Sequence, residues 1–367
     1  MLHRMGILIA LLAFVGGVNS AAALTLGVVG DSLSDEYAEE TYGSYAANWV
    51  EQLDQFAGVD TGPTAAASGQ PGGTWLEPRR TQNQYNWARS GANSDTMLSA
   101  GQHTGLAGLV APEGIEAVVV VIGANDFYPT GSAYLGIYNG TWSQAQIDAY
   151  NLSRMANINT ALDALVATGV PVVVGTVPDY GLAPLVRFFF SNVAGRQAVA
   201  DAIADLNAEI QASAQAREIV VFDLAQAAGA IFGTHASPES QIVIGGVPIF
   251  LGQSDTAAGG NPDGAFVHDG VHPNATLQGL FANLVMQALN TGYEMDLVLF
   301  SEAEILDRRS LAYVGPDTLE AQIGSYSDFV NDYTPAAVAV PSLSPASLAL
   351  VVVAFLAGGV RFLSRRS

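Results

Sequence analysis

Residues 117–122 read Ala-Val-Val-Val-Val-Ile, apolar on both sides of a pleat. A strand with one wet face alternates polar and apolar side chains, so a strand without alternation must be covered on both faces. Comparable runs stand at residues 24–29, 170–177 and 219–222, with a fainter one at 85–88. Between them lie stretches with helical spacing, at residues 45–56, 144–167, 196–217 and 276–290. The last should be capped by Asn274 and end near Gly292. This alternation predicts an α/β fold with a parallel sheet between two layers of helices. Ligands on such sheets bind beyond the carboxyl ends of the strands, which makes polar motifs at those ends the candidates for chemistry.

Composition removes several function classes. The chain of 367 residues is 50% hydrophobic and carries a net charge of −21, a surface that repels phosphate backbones and disfavours nucleic acid as a partner. It has no cysteine, which excludes thiol nucleophiles, thiolate metal sites and disulfides. Every basic residue is Arg, which excludes a Walker A lysine and Schiff-base chemistry. Nothing in the sequence calls for a cofactor or a metal.

Both ends read as addresses. Residues 1–23 have a basic start at His3 and Arg4, a short apolar core, and Ala21-Ala22-Ala23 as a cleavage site for signal peptidase. The mature chain is expected to begin at Leu24 and to be exported. At the other end, residues 335–345 form a proline-punctuated linker, residues 346–360 are apolar, and Arg361, Arg365 and Arg366 follow. The tail 341–367 resembles the PEP-CTERM sorting signal processed by an exosortase. Val340-Pro341 is followed here by Ser342-Leu343-Ser344-Pro345, without the glutamate of that signal. The alternative is a plain membrane anchor with its basic end in the cytoplasm. In either case the membrane is met only through the tail, and the body lies at the cell surface or outside the cell.

Four motifs carry candidate chemistry. Gly30-Asp31-Ser32-Leu33-Ser34-Asp35 follows the first strand, where a serine hydroxyl would be exposed beside free backbone N–H groups. Ser34 stands where a GxSxG elbow needs its second glycine, which disfavours the α/β-hydrolase fold. Asp269-Gly270-Val271-His272 precedes the closing helix, and an Asp and a His three apart on one loop can hydrogen-bond each other. His268 competes for the role of base but adjoins Asp269 directly, a poor geometry for that partnership. Gly91 follows the faint second strand and offers a backbone N–H. Asn125, in Gly123-Ala124-Asn125-Asp126 after the third strand, offers an amide donor to an oxyanion.

In order and character these blocks resemble the GDSL/SGNH hydrolase family. The resemblance covers roughly residues 24–291, within an expected hydrolase domain at 24–295, followed by an extension and linker at 296–340. It implies a three-layer α/β/α sandwich with a flavodoxin-like five-stranded parallel sheet. It also implies a serine esterase with Ser32 as nucleophile, His272 as base, Asp269 as its orienting carboxylate, and an oxyanion hole from Ser32, Gly91 and Asn125. The expected substrate is a short acyl ester or an acetylated sugar. Two other readings stay open: a non-catalytic carbohydrate- or matrix-binding protein on the same scaffold, and an acyltransferase using the same triad. Phe188-Phe189-Phe190 reads either as an acyl-pocket wall or as a buried helix face. Trp75, Trp87, Tyr128 and Tyr134 read either as sugar-stacking rings or as loop packing. Residues 241–251 predict a hairpin turning at Gly245-Gly246, and residues 301–312 a helix with a Ser301/Glu304 capping box.

Overall fold

The apolar runs become strands whose residues are all buried. They are β1 (Leu26–Gly30), β2 (Ala117–Val121), β3 (Val172–Gly175) and β4 (Val220–Phe222). The structure, a computed structural model, describes residues 23–334 apart from 41, 44, 76–79 and 256–259. The export signal read over residues 1–23, except its last residue, and the tail after residue 334 lie outside the described residues. Among the described residues no helix is long and apolar enough to cross a membrane.

Helices fill the connections: α1 (Trp49–Phe56), α2 (Ser94–Ser99) and α3 (Gln102–Glu113) between β1 and β2, then α4 (Ser132–Tyr138) and α5 (Gln144–Val166) before β3. Next come α6 (Pro184–Phe189) and α7 (Val193–Ala216) before β4, then α8 (Leu224–Phe232). A small second sheet of β5 (Gln241–Ile244), β6 (Val247–Ser254) and β7 (Gly264–Phe266) precedes α9 (Ala275–Tyr293). The chain then adds α10 (Glu302–Asp307), α11 (Leu319–Ile323) and β8 (Val330–Asn331).

The main sheet runs β1-β2-β3-β4-β8, parallel through β4, with Val28 against Val119, Val119 against Val173 and Val174 against Val221. Helices α3, α5 and α7 pack on one another, α3 against β1 and α7 against β4. A second group has α1 against α9, and α9 against β3, β4 and β8. The α/β fold with a parallel sheet and two helical layers is therefore as expected.

Two strands differ from expectation. The segment at residues 85–88 makes only a single parallel bridge, Val28 to Asn86, on the outer side of β1. Asn86 ends it: its side chain accepts from Ala88 N at 3.0 Å and donates to Ser34 O at 2.7 Å. Such local bonds compete with a ladder. The fifth strand is instead β8, and it is antiparallel to β4. An antiparallel edge needs no crossover helix, so a chain returning from α9 can add one with two residues.

Helix ends also show why local signals slip. Asn48 and Glu51 form a capping box, which moves the start of α1 from residue 45 to Trp49. Asn274 caps α9 as expected, accepting from Leu277 N at 3.2 Å. Gly292 does not stop α9; the helix runs to Tyr293 and ends on Glu294 at φ +54°. A Cβ at Gly292 would stand 2.0 Å from Val220 Cγ2, so this glycine serves the close approach of α9 to β4. Helix α10 carries the Ser301/Glu304 box but is shorter than expected, because the chain leaves it through Ser310 at φ +54°.

Helix α9 is buried almost all round, which its own amphipathicity does not explain. The segment after it supplies the cover, with α10 and residues 326–329 packed on it. Glu302 secures that segment. One carboxylate oxygen accepts from Thr318 N at 2.8 Å and Leu319 N at 2.7 Å, and the other accepts from Gly245 N in the β5–β6 turn. Glu302→Ala leaves three backbone donors without their acceptor. It is expected to cost about 3 kcal/mol. Urea unfolding should show this as a lower midpoint, whereas Glu320→Ala at an exposed position should shift it by at most about 0.5 kcal/mol.

Candidate active site

Beyond Gly30 the chain folds over itself. Asp31 N still donates to Val121 O at 3.2 Å, and Ser34 N and Asp35 N turn back to Asp31 O at 3.0 and 2.8 Å. The Asp31 side chain accepts from Leu33 N at 3.0 Å, an Asx turn that sets Ser32 at the strand end. Here the connections of the sheet diverge: residues 85–89 go to one side of β1 and β2 lies on the other. A crevice at such a switch point is where open α/β sheets bind ligands.

Ser32 is 5% exposed, and its Oγ lies 2.7 Å from His272 Nε2. His272 Nδ1 lies 2.6 Å from Asp269 Oδ2. The other Asp269 oxygen accepts from Val271 N at 2.8 Å and His272 N at 2.9 Å, so the loop holds its own carboxylate still. Burial pushes the Asp269 carboxyl up. The hydrogen bonds and charge of His272, with the loop N–H groups, outweigh it and hold the acid below its usual value. His268 points away; it is exposed and its ring meets Tyr42 at 5.7 Å. Bonds from Val267 N to His272 O (2.8 Å) and Gly270 N to Val267 O (2.9 Å) close the loop with that orientation.

Tyr42 was not foreseen from sequence. Its hydroxyl is 2.9 Å from His272 Nδ1, and burial and the Asp269 charge push the phenol up. Its ring meets Tyr37 edge-on at 4.8 Å. Tyr37 donates to Pro273 O at 3.0 Å and accepts from Gln278 Nε2 at 2.7 Å, which ties the tyrosine pair to the start of α9. The only sequence signal was aromatic density, with Tyr37, Tyr42 and Tyr45 soon after Ser32.

The two expected donors stand beside this chain. Asp35 is buried, takes Ser90 N at 2.7 Å and pairs with Arg89 at 3.2 Å, and so fixes the turn that carries Gly91. Asn125 donates one amide N–H to Ala92 O at 3.0 Å and accepts from the Tyr180 hydroxyl at 3.0 Å. These partners set the orientation of the amide and leave its second N–H uncommitted. Gly123 is required before it: at φ +121° a Cβ would stand 2.6 Å from Val177 Cγ2. Among the described residues no acceptor takes the backbone N–H of Ser32 or Gly91. No group of three or more His, Asp or Glu is placed among them to hold a metal ion.

The aromatic expectations separate. Phe188 and Phe189 are 77% and 67% exposed on α6, and Phe190 packs on Tyr134 at 4.9 Å and Tyr138 at 5.2 Å. They form neither a buried face nor a pocket wall as a group. Trp75 and Tyr134 are buried, and Trp87 is half-buried against Gly105. Tyr128, 51% exposed and 6.4 Å from the Tyr180 ring, is the ring of this set that faces solvent near Asn125.

Asp31 is buried under Ser32, its Oδ2 has no partner, and burial raises its carboxyl to about 7. A raised carboxyl keeps its proton in the folded chain where the unfolded chain has lost it. Its contribution is therefore complete below about pH 4 and is lost as pH rises through about 7, a change of about 4 kcal/mol. Asp31→Asn should remove that component. Compared with the parent by urea unfolding, the variant should gain about 4 kcal/mol more at pH 8 than at pH 4; equal differences at both pH values would remove Asp31 from the account.

A family model described as GDSL-like Lipase/Acylhydrolase matches residues 26–285. Similar solved structures include a GDSL-like lipase from Bacteroides thetaiotaomicron, at 17% identity over 73% of this chain and 88% of that one, with a TM-score of 0.39. An acetyl xylan esterase from Geobacillus stearothermophilus shares 13% identity over 80% of this chain and 98% of its own, with a TM-score of 0.39. A psychrotrophic esterase from Pseudoalteromonas shares 12% over 73% and 97%, with a TM-score of 0.37. No curated protein matches the chain.

Proposed function

The chain belongs to the GDSL-like lipase/acylhydrolase family, and from that premise we propose that it is an exported serine esterase working through Ser32, His272 and Asp269. One observation carries the reading: the unbroken hydrogen-bonded chain from Ser32 Oγ through both ring nitrogens of His272 to Asp269, at 2.7 and 2.6 Å. With Nδ1–H donated to Asp269, Nε2 is free to accept the serine proton. Ser32 Oγ then attacks the ester carbonyl while His272 takes its proton, and Asp269 stabilises the imidazolium that results. The Tyr42 hydroxyl, 2.9 Å from His272 Nδ1, helps to keep the ring in line.

The tetrahedral oxyanion is received by the N–H groups of Ser32 and Gly91 and by the uncommitted N–H of Asn125. These donors are held before the reaction starts, so no reorganisation is needed when charge develops. His272 returns its proton to the leaving alcohol, and a water activated by the same ring releases the acid. The substrate is a neutral carboxylic ester, a short acyl ester or an acetylated sugar, since a net charge of −21 disfavours anionic ones. Export is supported by the signal-like residues 1–23, and a surface location by the tail at 341–367, the proposed contact for a signal peptidase and an exosortase or the membrane.

Ser32→Ala tests the proposal on p-nitrophenyl acetate and butyrate: the variant should fold as the parent does and lose roughly 10⁴-fold or more in kcat. Turnover retained by the variant would remove Ser32 as nucleophile. Asn125→Ala should lower kcat roughly 100- to 1000-fold with the fold kept by circular dichroism; an unchanged rate would place the oxyanion elsewhere.

A further inference from the structure

An apolar cavity of about 120 Å³ lies beneath the loops of the site. It begins at Leu33, Ala124 and Val271, each one residue from Ser32, Asn125 or His272. Ala227 on α8 and Leu280 on α9 form its walls. Ile323, Tyr326 and Phe329, in α11 and the turn before β8, complete its lining. Those three lie beyond residue 285, where the match to the family model ends. Protein interiors are packed closely, and a void of this size next to a nucleophile forfeits contacts that a ligand would restore.

Resting on the serine esterase reading, we infer that this cavity receives the acyl chain of the substrate, and that the C-terminal segment sets its length. The lining is apolar apart from Asp179 and the hydroxyls of Tyr180 and Tyr326. Tyr180 already gives its hydroxyl proton to Asn125, and Asp179 accepts from Gly181 N at 2.7 Å. A sugar would leave its hydroxyls without partners there, whereas an alkyl chain needs none. The acyl half of the ester therefore enters the cavity and the alcohol half stays on the solvent side. A dry cavity of about 150 Å³ takes a benzene ring, so this one takes roughly four to six carbons. The ester carbonyl remains with Ser32 and Asn125 while the tail runs between α8 and α9 toward Ile323.

The test is a chain-length profile of the full chain on p-nitrophenyl acetate, butyrate, hexanoate and decanoate. The parent should prefer butyrate or hexanoate over acetate by roughly tenfold or more in kcat/KM, and fall at decanoate. Ala227→Leu, which fills the cavity, should lower the hexanoate-to-acetate ratio roughly tenfold or more. Ile323→Ala, which lengthens it, should move the optimum to a longer chain, a shift that loss of packing alone does not produce. Parent rates that fall steadily from acetate onward, or a ratio unchanged in both variants, would overturn the inference and leave the esterase reading standing. No turnover on any ester, acetate included, would overturn that reading and this one with it.

Discussion

Strands β1 to β4 carry no polar side chain, and each is buried on both faces. Everything polar that the domain uses is therefore placed at their ends. In a parallel sheet all four carboxyl ends lie at one rim, and the connections after β1 and after β2 leave it in opposite directions. Ser32, the turn bearing Gly91, and Asn125 follow from that constraint. Each lies in the loop that follows the end of a strand or bridge.

A second regularity holds these loops in place. The chain has no lysine, and its loops are fixed by buried or half-buried carboxylates that accept backbone N–H groups. Asp31 takes Leu33, Asp35 takes Ser90, Glu36 takes Asn83, and Asp126 takes Ser94. Glu51 takes Tyr37, Ala38 and Asn48 at 2.7–3.1 Å and so shapes the segment that ends in Tyr42. The cost appears in the acids themselves: burial pushes Asp31, Asp35, Glu36, Glu51 and Asp126 upward. Asp269 is the contrast. It is also desolvated, but His272 beside it turns the balance, and its carboxyl lies below the usual value.

The C-terminal segment after α9 completes the body. It covers α9, adds β8 to the sheet, and completes the lining of the cavity under the site. Glu302 links its helices to the β5–β6 turn, so the wall of the cavity and the stability of the segment depend on one carboxylate.

What the sequence determined by itself was whatever a few neighbouring residues decide. Unbroken valine runs called for a sheet covered on both faces, helical spacing placed α5, α7 and α9, and Asn274 and Ser301 marked helix starts through bonds made three residues away. Asp269 and His272 were legible as a pair because one loop carries both. Tertiary structure decided the rest. Ser32 and His272 are 240 positions apart and meet because β1 and the loop before α9 end at the same rim. The contacts of Tyr42 with His272 and of Tyr180 with Asn125 could not be read locally, since a tyrosine in a loop has the same sequence neighbours whether its hydroxyl meets water or a buried partner. The antiparallel β8 and the cavity were hidden for the same reason. Hydrogen bonds within a turn are specified by adjacent residues, whereas strand partners and voids arise only when distant elements pack.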